Sequence, residues 1–300
     1  HMDSLTITYH KSYCLMPMNT NIPKPATIQK NYSTSYYLAT LLFPKSIKLA
    51  VFSFYGFLRE VDEIVDSTKN TPASVKNLIE RYQSEWNAYI DGAPSTNQNI
   101  KAFAYYYTLY KVPREYTESF FESMIQDTFK SRYATYQELE NYMYGSATIV
   151  GYTMSLFIGH KDGALPFAKK LSEAMQLTNF LRDIKEDYEL RNRIYIPQES
   201  LTKFGVTEEH FKQHIVDNNF KSMMKFEIAR ACLLYAEAEE GIDLLDKHGR
   251  LAVRVASRFY EAILDAIVDA DYNVFATRNR ISNLRKVVIL IKTIVWKKRK

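Results

Sequence analysis

The chain has 300 residues, of which 46% are hydrophobic and 24% charged, so it holds enough apolar sequence for one large core, in one domain or in two. Its formal net charge is +5, but no recognition motif or Gly-rich phosphate loop accompanies the basic residues, which argues against a nucleic-acid partner. The two cysteines, Cys14 and Cys232, indicate no disulfide framework and fit a reducing compartment. The sequence shows neither a signal-peptide pattern nor an uncharged apolar run of about 18 residues, so we expect a cytoplasmic protein, soluble or peripheral on the inner membrane surface.

Nearly every element that the sequence predicts is a helix. Residues 1–28, which open with a two-residue remnant of an expression tag, lack sustained periodicity and predict a flexible arm. Pro44 suits the first turn of a helix that continues through the first acidic run, and Thr71 with Pro72 forms a cap followed by proline at the first helical position. Further along the chain we predict breaks at 91–95 and 112–113, helices at 135–159, 164–190, 217–247, 251–274 and 281–296, and a basic tail at 297–300. Because strand-like alternation is lacking, the prediction is an all-α, single-domain helical bundle over residues 29–296 with a central cavity.

Two short acidic runs each place one aspartate four residues after another: Asp62 with Asp66, and Asp183 with Asp187. On helices, each pair would project from one face, about 6 Å apart along the axis. The alternative for such spacing is a solvated, salt-bridged helix face. Long apolar segments precede both runs and favour burial, where carboxylates are costly without a cation or a proton. Since Mg²⁺ takes oxygen ligands and completes its shell with substrate phosphate, two facing pairs predict a site that holds a diphosphate through Mg²⁺.

The C-terminal segment mixes basic and apolar residues. Arg285, Lys286 and Lys292 surround apolar residues 287–291, and Trp296 follows. Such a helix can lie on an anionic membrane surface. The alternative is a last core helix with a frayed basic tail, and the sequence leaves both open, as it does the oligomeric state.

Aromatic residues make up 14% of the chain, with 23 Tyr and 17 Phe. Most are expected to pack in the core. Some can line an apolar tunnel for a hydrocarbon substrate that ionises, because aromatic faces stabilise cationic carbon.

His210 and His214 lie four residues apart in a polar, Glu-rich segment. We predict that both lie on a helix surface. A zinc site is the alternative.

Residues 55–66 read YGFLREVDEIVD, and residues 176–187 read QLTNFLRDIKED. These two segments resemble the Y-x-x-x-R-x-x-D-x-x-x-D and Q-x-x-N-x-x-R-D-x-x-x-D signatures of the squalene and phytoene synthases, including the dehydrosqualene synthases. Shorter similarities follow the same order at 33–36, 142–151 and 193–197, and near the end at Tyr260, 273–275, Arg278 and Arg280. The chain departs from the family pattern at Tyr32, Ser146, Asn192 and Thr277.

The resemblance implies an isoprenoid synthase-type fold and a prenyltransferase that condenses two identical prenyl diphosphates head to head through a cyclopropyl carbinyl diphosphate. It implies Mg²⁺, with Mn²⁺ as an alternative, while NADPH is not expected. The implied catalytic and metal-binding residues are Asp62, Asp66, Asp183 and Asp187, with Arg59 and Arg182 as further catalytic residues. The implied substrate-binding residues are Ser35, Tyr36, Tyr55, Gln176, Asn179, Tyr260 and Arg278. Arginine forks suit diphosphate oxygens, but salt bridges to the same aspartates are the alternative role for the arginines, as packing is for the tyrosines.

The length of the prenyl chain is a separate question. Thr40 is expected one helical turn deeper in the tunnel than Tyr36, and its small side chain favours geranylgeranyl diphosphate and phytoene. Farnesyl diphosphate with dehydrosqualene or squalene is the alternative. A noncatalytic helical assembly factor of the same fold is the remote alternative.

Overall fold

A computed structural model describes residues 34–67 and 71–297, and within these ranges the chain forms helices and no strands. The predicted arm therefore lies outside the described residues, as do the last three residues of the predicted basic tail. The helices are α1 Thr34–Thr40, α2 Lys45–Val65, α3 Pro72–Ile90, α4 Gln98–Leu109, α5 Arg114–Gln126, α6 Tyr136–Met143, α7 Ile149–Ile158, α8 Leu165–Arg182, α9 Ile184–Arg191, α10 Gln198–Phe204, α11 Glu208–Lys212, α12 Asn218–Gly241, α13 Arg250–Asp269 and α14 Asn283–Lys297. The all-α prediction is confirmed.

Local capping chemistry explains where several helices begin. The Thr71 side chain accepts a hydrogen bond from the Ser74 N–H at 3.2 Å, and Pro72 follows as the first helical residue, as predicted. Pro44 lies just before the first residue of α2. The Asn97 side chain accepts from the N–H groups of Asn99 and Ile100 at the start of α4. These caps satisfy N–H groups that the helices themselves leave without partners.

Two apolar clusters hold the bundle together. In the first, between α2, α3, α4 and α5, the buried ring of Phe57 lies 4.7 Å from Trp86 and 4.8 Å from Phe103, measured between ring centroids. In the second, α8 packs most extensively against α12 and also contacts α13. The aromatic surplus of the sequence is therefore largely core packing.

Three predicted helices differ from the structure at points where the backbone leaves regular α-helical geometry. The predicted helix 135–159 contains a π-helical turn at Tyr144–Thr148, where a Cβ on Gly145 would lie 2.1 Å from the Ser119 carbonyl oxygen of α5. The predicted helix 217–247 ends at Gly241 and continues as a short 3₁₀ turn. The predicted helix 251–274 ends at Asp269 because Asp271 and Tyr272 adopt positive φ.

The predicted helix 164–190 is interrupted at Asp183, which has φ −100° and ψ 14°. The interruption is one residue long. The Asp187 N–H still donates to the Asp183 carbonyl oxygen at 2.9 Å, so the four-residue register of the second acidic run survives. The prediction of one continuous helix was wrong, but the two aspartates stay one turn apart.

The prediction that His210 and His214 both lie at the surface was wrong for His210, whereas His214 is exposed. His210 is buried, and its Nδ1 accepts the Thr207 N–H at 3.0 Å, which caps α11. His214 lies beyond the end of α11 at a positive φ, with its Nε2 2.8 Å from Glu189 Oε1. The two rings therefore do not share a helix face.

In the described part of the chain, no helix combines the length and apolarity that crossing a bilayer requires.

Candidate active site

One large cavity, of about 1070 Å³, lies between α1, α2, α8, α9 and α13. Its volume is at the upper end of the roughly 300–1,000 Å³ that small-molecule pockets occupy. The thirteen residues that the resemblance implies for the site all line this cavity: Ser35, Tyr36, Tyr55, Arg59, Asp62, Asp66, Gln176, Asn179, Arg182, Asp183, Asp187, Tyr260 and Arg278. The structure therefore brings together side chains that are up to 243 positions apart in the sequence.

The first acidic run lies at the C-terminal end of α2. Asp62 is on the last turn of the helix and Asp66 ends it. Arg59 Nη1 lies 4.0 Å from Asp62 Oδ2, and Arg59 Nε lies 3.5 Å from Glu63 Oε1. Burial raises the pKa of Asp62 above the usual Asp range; Arg59 opposes this shift and Asp66 adds to it.

In the second run, Asp183 is surrounded by guanidinium groups. Arg182 pairs with both Asp183 oxygens, and Arg278 approaches the same carboxylate with Nε and Nη2, each at 2.8 Å. Burial alone would raise the pKa of Asp183, but these two arginines hold it below its usual range. The salt bridge that the sequence left as the alternative role for Arg182 is therefore present.

Asp187 has the opposite electrostatic balance. Burial and the neighbouring Asp183 raise the pKa of Asp187 to about 8, against the opposing effect of Arg191. Carboxylate oxygens are the ligands that a hard divalent cation prefers, and burial, which raises the pKa of Asp62 and of Asp187, makes their ionised forms costly unless a cation compensates their charge. The donor set therefore fits a divalent cation. Within the described residues, no three His, Cys, Asp or Glu side chains converge as a ready metal-binding group; arginines, rather than further carboxylates, approach the aspartates.

Arg191, which the sequence analysis did not single out, joins the two acidic runs. Its Nε lies 2.9 Å from Asp66 Oδ1, its Nη1 lies 3.4 Å from Asp187 Oδ1, and its Nη2 lies 3.5 Å from Glu186 Oε1. Arg191 is the last residue of α9, before Asn192 in the left-handed conformation. Asn tolerates that conformation, which explains how Asn192 replaces the glycine that is common in the resembled family.

Polar side chains on α8 and three tyrosines line the cavity near the acidic runs. Asn179 Nδ2 donates to Gln176 Oε1 at 3.2 Å, so the two amides orient each other. The rings of Tyr36 and Tyr55 stack with centroids 6.2 Å apart. Burial, with the nearby hydroxyls of Tyr260 and Tyr55, raises the pKa of Tyr36, which therefore stays a neutral hydrogen-bond donor at physiological pH.

Asp127, also absent from the predicted site, lies behind the acidic runs and lines the same cavity. Its carboxylate accepts hydrogen bonds from the hydroxyls of Tyr142 at 2.8 Å and Tyr195 at 3.2 Å, while Arg193 Nη2 donates to its backbone oxygen at 2.8 Å. Burial raises the pKa of Asp127 to about 6, against the opposing effect of Arg193. Its partners Tyr142, Arg193 and Tyr195 lie in the segments 142–151 and 193–197 that resemble the family. Asp127 itself is a single aspartate outside any such segment, so it carries no sequence signal of its own.

Away from the acidic runs the cavity wall is mainly apolar, with Val51, Phe54, Ile158 and Leu171 among its residues. Thr40 belongs to this part of the wall and is buried, with its hydroxyl donating to the Tyr36 carbonyl oxygen at 2.9 Å. Because the Tyr36 carbonyl oxygen accepts this hydrogen bond, Thr40 presents a small side chain to the cavity and leaves its hydroxyl satisfied.

Of the positions that depart from the family pattern, Ser146 lies on the wall of the same cavity. Its hydroxyl donates to the Tyr142 carbonyl oxygen at 3.3 Å. Thr277 lines a small depression next to Arg278. Tyr32 lies outside the described residues.

This combination of an all-helical bundle, a large apolar cavity and two facing acidic runs with arginines defines an isoprenoid synthase-type fold. A profile of the squalene/phytoene synthase family matches residues 29–285, and the chain belongs to that family.

Individual relatives agree with this assignment. The chain is 32% identical over 280 residues to a 15-cis-phytoene synthase of Synechocystis sp., covering 88% of this chain and 81% of that protein. It is 34% identical over 266 residues to a chloroplastic phytoene synthase of Daucus carota, covering 86% of this chain and 66% of that protein.

Solved structures show the same fold. A crystal structure of a dehydrosqualene synthase in complex with a ligand is similar with a TM-score of 0.84 and 27% identity, over 92% of this chain and 96% of that one. A squalene synthase of Alicyclobacillus acidocaldarius shares the fold with a TM-score of 0.74 at 23% identity, over 83% of this chain and 93% of that one.

Proposed function

We propose that this protein condenses two geranylgeranyl diphosphates head to head, through a cyclopropyl carbinyl diphosphate, to phytoene in a reaction that requires Mg²⁺. The observation that carries the proposal is a single cavity in which two acidic runs and several arginines border a long apolar wall. The relatives named phytoene synthases support the choice of product. Mn²⁺ is the natural substitute for Mg²⁺ at oxygen ligands.

The chemistry divides between the polar and the apolar ends of the cavity. Asp62, Asp66, Asp183 and Asp187 would hold Mg²⁺, which when bound supplies positive charge to the departing diphosphate. Arg59, Arg182 and Arg278 can donate forked hydrogen bonds to diphosphate oxygens, which gain negative charge as the allylic C–O bond breaks. The hydroxyls of Tyr36 and Tyr260 can donate to the same oxygens.

The apolar end has a different task. It receives the prenyl tails and excludes the water that would otherwise quench an allylic cation. Neighbouring aromatic faces stabilise that cation while the double bond of the second molecule attacks it. The resulting cyclopropyl intermediate ionises in turn, rearranges and loses a proton.

The test of this activity is an incubation of the purified protein with Mg²⁺ and geranylgeranyl diphosphate, without NADPH, with mass spectrometry of the extracted hydrocarbon. We expect phytoene. Product formed only from farnesyl diphosphate would contradict the choice of substrate, and a shift from a dehydro product to squalene on adding NADPH would identify a squalene synthase instead.

Substitutions of the acidic runs separate an enzyme from a noncatalytic protein of the same fold. Asp62→Asn and Asp183→Asn should each abolish turnover while leaving the far-ultraviolet circular dichroism unchanged. Near-normal rates in either variant would contradict the metal-binding role. If the wild type released no diphosphate from either prenyl substrate, the assembly-factor alternative would be favoured.

Thr40 offers a test of chain-length selection. Thr40→Phe should fill the tunnel one turn below Tyr36 and suppress use of the C20 substrate more than use of the C15 substrate. Thr40→Val is the matched control, because it keeps the volume of the side chain and removes the hydroxyl, which donates to the Tyr36 carbonyl oxygen. Equal C20 activity in all three proteins would exclude Thr40 as a determinant.

We also propose that the protein is cytoplasmic and that α14 attaches it to the inner membrane surface. Exposed Lys292 is positioned to meet anionic headgroups, and Asn283 and Lys286 of α14 line the cavity, next to the route of an apolar product. The apolar side chains of α14 that remain exposed are Leu284, Val287, Val288, Ile291, Ile294 and Val295.

Co-sedimentation with phosphatidylcholine vesicles, with and without phosphatidylglycerol, tests this attachment. We expect binding only to the anionic vesicles and loss of binding in the Val287→Asp/Ile291→Asp double variant. Leu233→Asp, at an apolar side chain of α12 that is 65% exposed, is the matched control. Equal sedimentation of the double variant and the wild type would exclude α14 as the attachment surface.

A further inference from the structure

Arg191 holds a position that the proposed mechanism does not use. Its guanidinium group lies between the two acidic runs, close to Asp66 at the end of α2 and to Asp187 on α9. The side chain is only 13% exposed. A partly buried positive charge between two carboxylates occupies the electrostatic place that a divalent cation would take.

The contacts of Arg191 are close but poorly directed. Its Nε is 2.9 Å from Asp66 Oδ1 but makes no well-aligned hydrogen bond there, and the Nη1 hydrogen bond to Asp187 is long, at 3.4 Å. Charge attraction without good hydrogen-bond geometry is weaker than a bidentate arginine–carboxylate pair. The bidentate pair of Arg182 with Asp183 in the same cavity illustrates the difference.

The backbone next to Arg191 is fixed, so the side chain is the part that can move. Asn192 follows in the left-handed conformation and is gripped by Arg132, whose Nη1 donates to the Asn192 carbonyl oxygen and whose Nη2 donates to its side-chain oxygen at 3.1 Å. Glu186, another cavity residue, already lies 3.5 Å from Arg191 Nη2 and can keep the guanidinium group once it leaves the aspartates.

We infer that Arg191 is an internal counter-ion that holds the two acidic runs together in the metal-free protein and that a divalent cation must displace from Asp66 and Asp187. This inference rests on the proposed metal-dependent function. It makes Arg191 a positioning residue that opposes metal binding. Removing its charge should therefore tighten the binding of a divalent cation and destabilise the metal-free protein. A residue that merely supported the site would have the opposite effect on metal affinity.

The test is the binding of Mn²⁺ alone, measured from the free Mn²⁺ signal in electron paramagnetic resonance, to wild type and Arg191→Gln. We expect the dissociation constant of Arg191→Gln to be about tenfold lower than that of the wild type, equivalent to about 1.4 kcal/mol. We also expect a lower melting temperature without metal and a larger increase on adding Mg²⁺. Arg191→Lys, which keeps the charge but loses the fork, should fall between the two and serves if Arg191→Gln does not fold.

Arg285→Gln is the matched control. Arg285 also bridges two aspartates one helical turn apart, with Nη2 2.7 Å from Asp265 and Nη1 3.4 Å from Asp269, but on the outside of α13. Its substitution removes the same charge and should leave Mn²⁺ affinity unchanged. Equal tightening by both substitutions would reduce the effect to net charge and overturn the inference.

Turnover of the wild type separates the two ways of failing. The inference alone is overturned if the wild type converts a prenyl diphosphate with Mg²⁺ but folded Arg191→Gln and Arg191→Lys bind Mn²⁺ no more tightly than the wild type does. A wild type that neither binds Mn²⁺ nor converts a prenyl diphosphate overturns the proposed function and the inference with it.

Discussion

Glu173 links the stability of the helix that carries much of the site to pH. It lies on α8, is 3% exposed, and its Oε1 lacks a hydrogen-bond partner within the described chain. Lys169 Nζ is 3.6 Å away but is held more closely, at 2.7 Å, by Glu140. Burial raises the pKa of Glu173 from 4.5 to about 7, with Lys169 opposing and Glu140 adding to the shift.

This shift fixes the sign of the pH dependence. Between about pH 4.5 and pH 7 the folded state binds the Glu173 proton more tightly than the unfolded state, so the free energy of unfolding falls as pH rises through this window. The difference between the two pKa values corresponds to about 3 kcal/mol. Above pH 7 the full cost of the buried carboxylate is present.

Glu173→Gln should remove this pH dependence, because a neutral amide of nearly the same shape replaces the carboxylate. We expect the variant to match the wild type within about 0.5 kcal/mol at pH 4.5 and to exceed its stability by about 2–3 kcal/mol at pH 8. Urea unfolding of both proteins across this pH range, without divalent cations, measures the difference.

Glu237→Gln is the control, since Glu237 is exposed and pairs with Lys170 at the surface. It should change stability by less than about 1 kcal/mol at any pH. Parallel pH profiles for Glu173→Gln and the wild type would refute the reasoning, because they would mean that Glu173 stays ionised at no cost in the folded protein.

Three further substitutions test the packing and capping around the site by urea unfolding. Gly145→Ala should destabilise the protein by about 1–3 kcal/mol, because its Cβ would come 2.1 Å from the Ser119 carbonyl oxygen; an unchanged midpoint would contradict so close an approach. Thr71→Ala should cost about 1 kcal/mol through loss of the cap of α3, with Thr71→Ser retaining it. Asp127→Ala should cost about 3–5 kcal/mol, because it removes the acceptor of two tyrosine hydroxyls and the charge partner of the buried Arg193, and a loss below about 1 kcal/mol would argue against that network.

Sequence patterns predicted the helices best where local chemistry sets their limits. The start of α3 follows from Thr71 and Pro72 because both the cap and the proline act within one turn. The break at Asp183 has no such local signal. The break coincides with ion pairs from Asp183 to Arg182 and to Arg278, which is 95 residues further along the chain. The helical periodicity of residues 164–190 contains no information about a contact between residues so far apart in the sequence.

The difference between local signals and long-range contacts also explains which residues of the site could be predicted from the sequence. The aspartates, the polar residues of α8 and Tyr55 stand in fixed spacings within two segments that resemble a family signature, and these residues do line one cavity. Asp127 and Arg191 belong to no repeated spacing. Their surroundings arise only when the end of α5 and the end of α9 meet the acidic runs in the folded protein.

Arg191 also shows why charge counting along the sequence gives an incomplete account of such a site. Read along the chain, residues 183–187 are an acidic run that awaits a cation. In the folded protein that run already has cations: Arg182 and Arg278 at Asp183, and Arg191 at Asp187. Metal binding here is therefore an exchange of positive charges, so its free energy is the difference between two sets of ion pairs. Cation affinity should accordingly depend as much on how loosely the arginines are held as on the number of carboxylates.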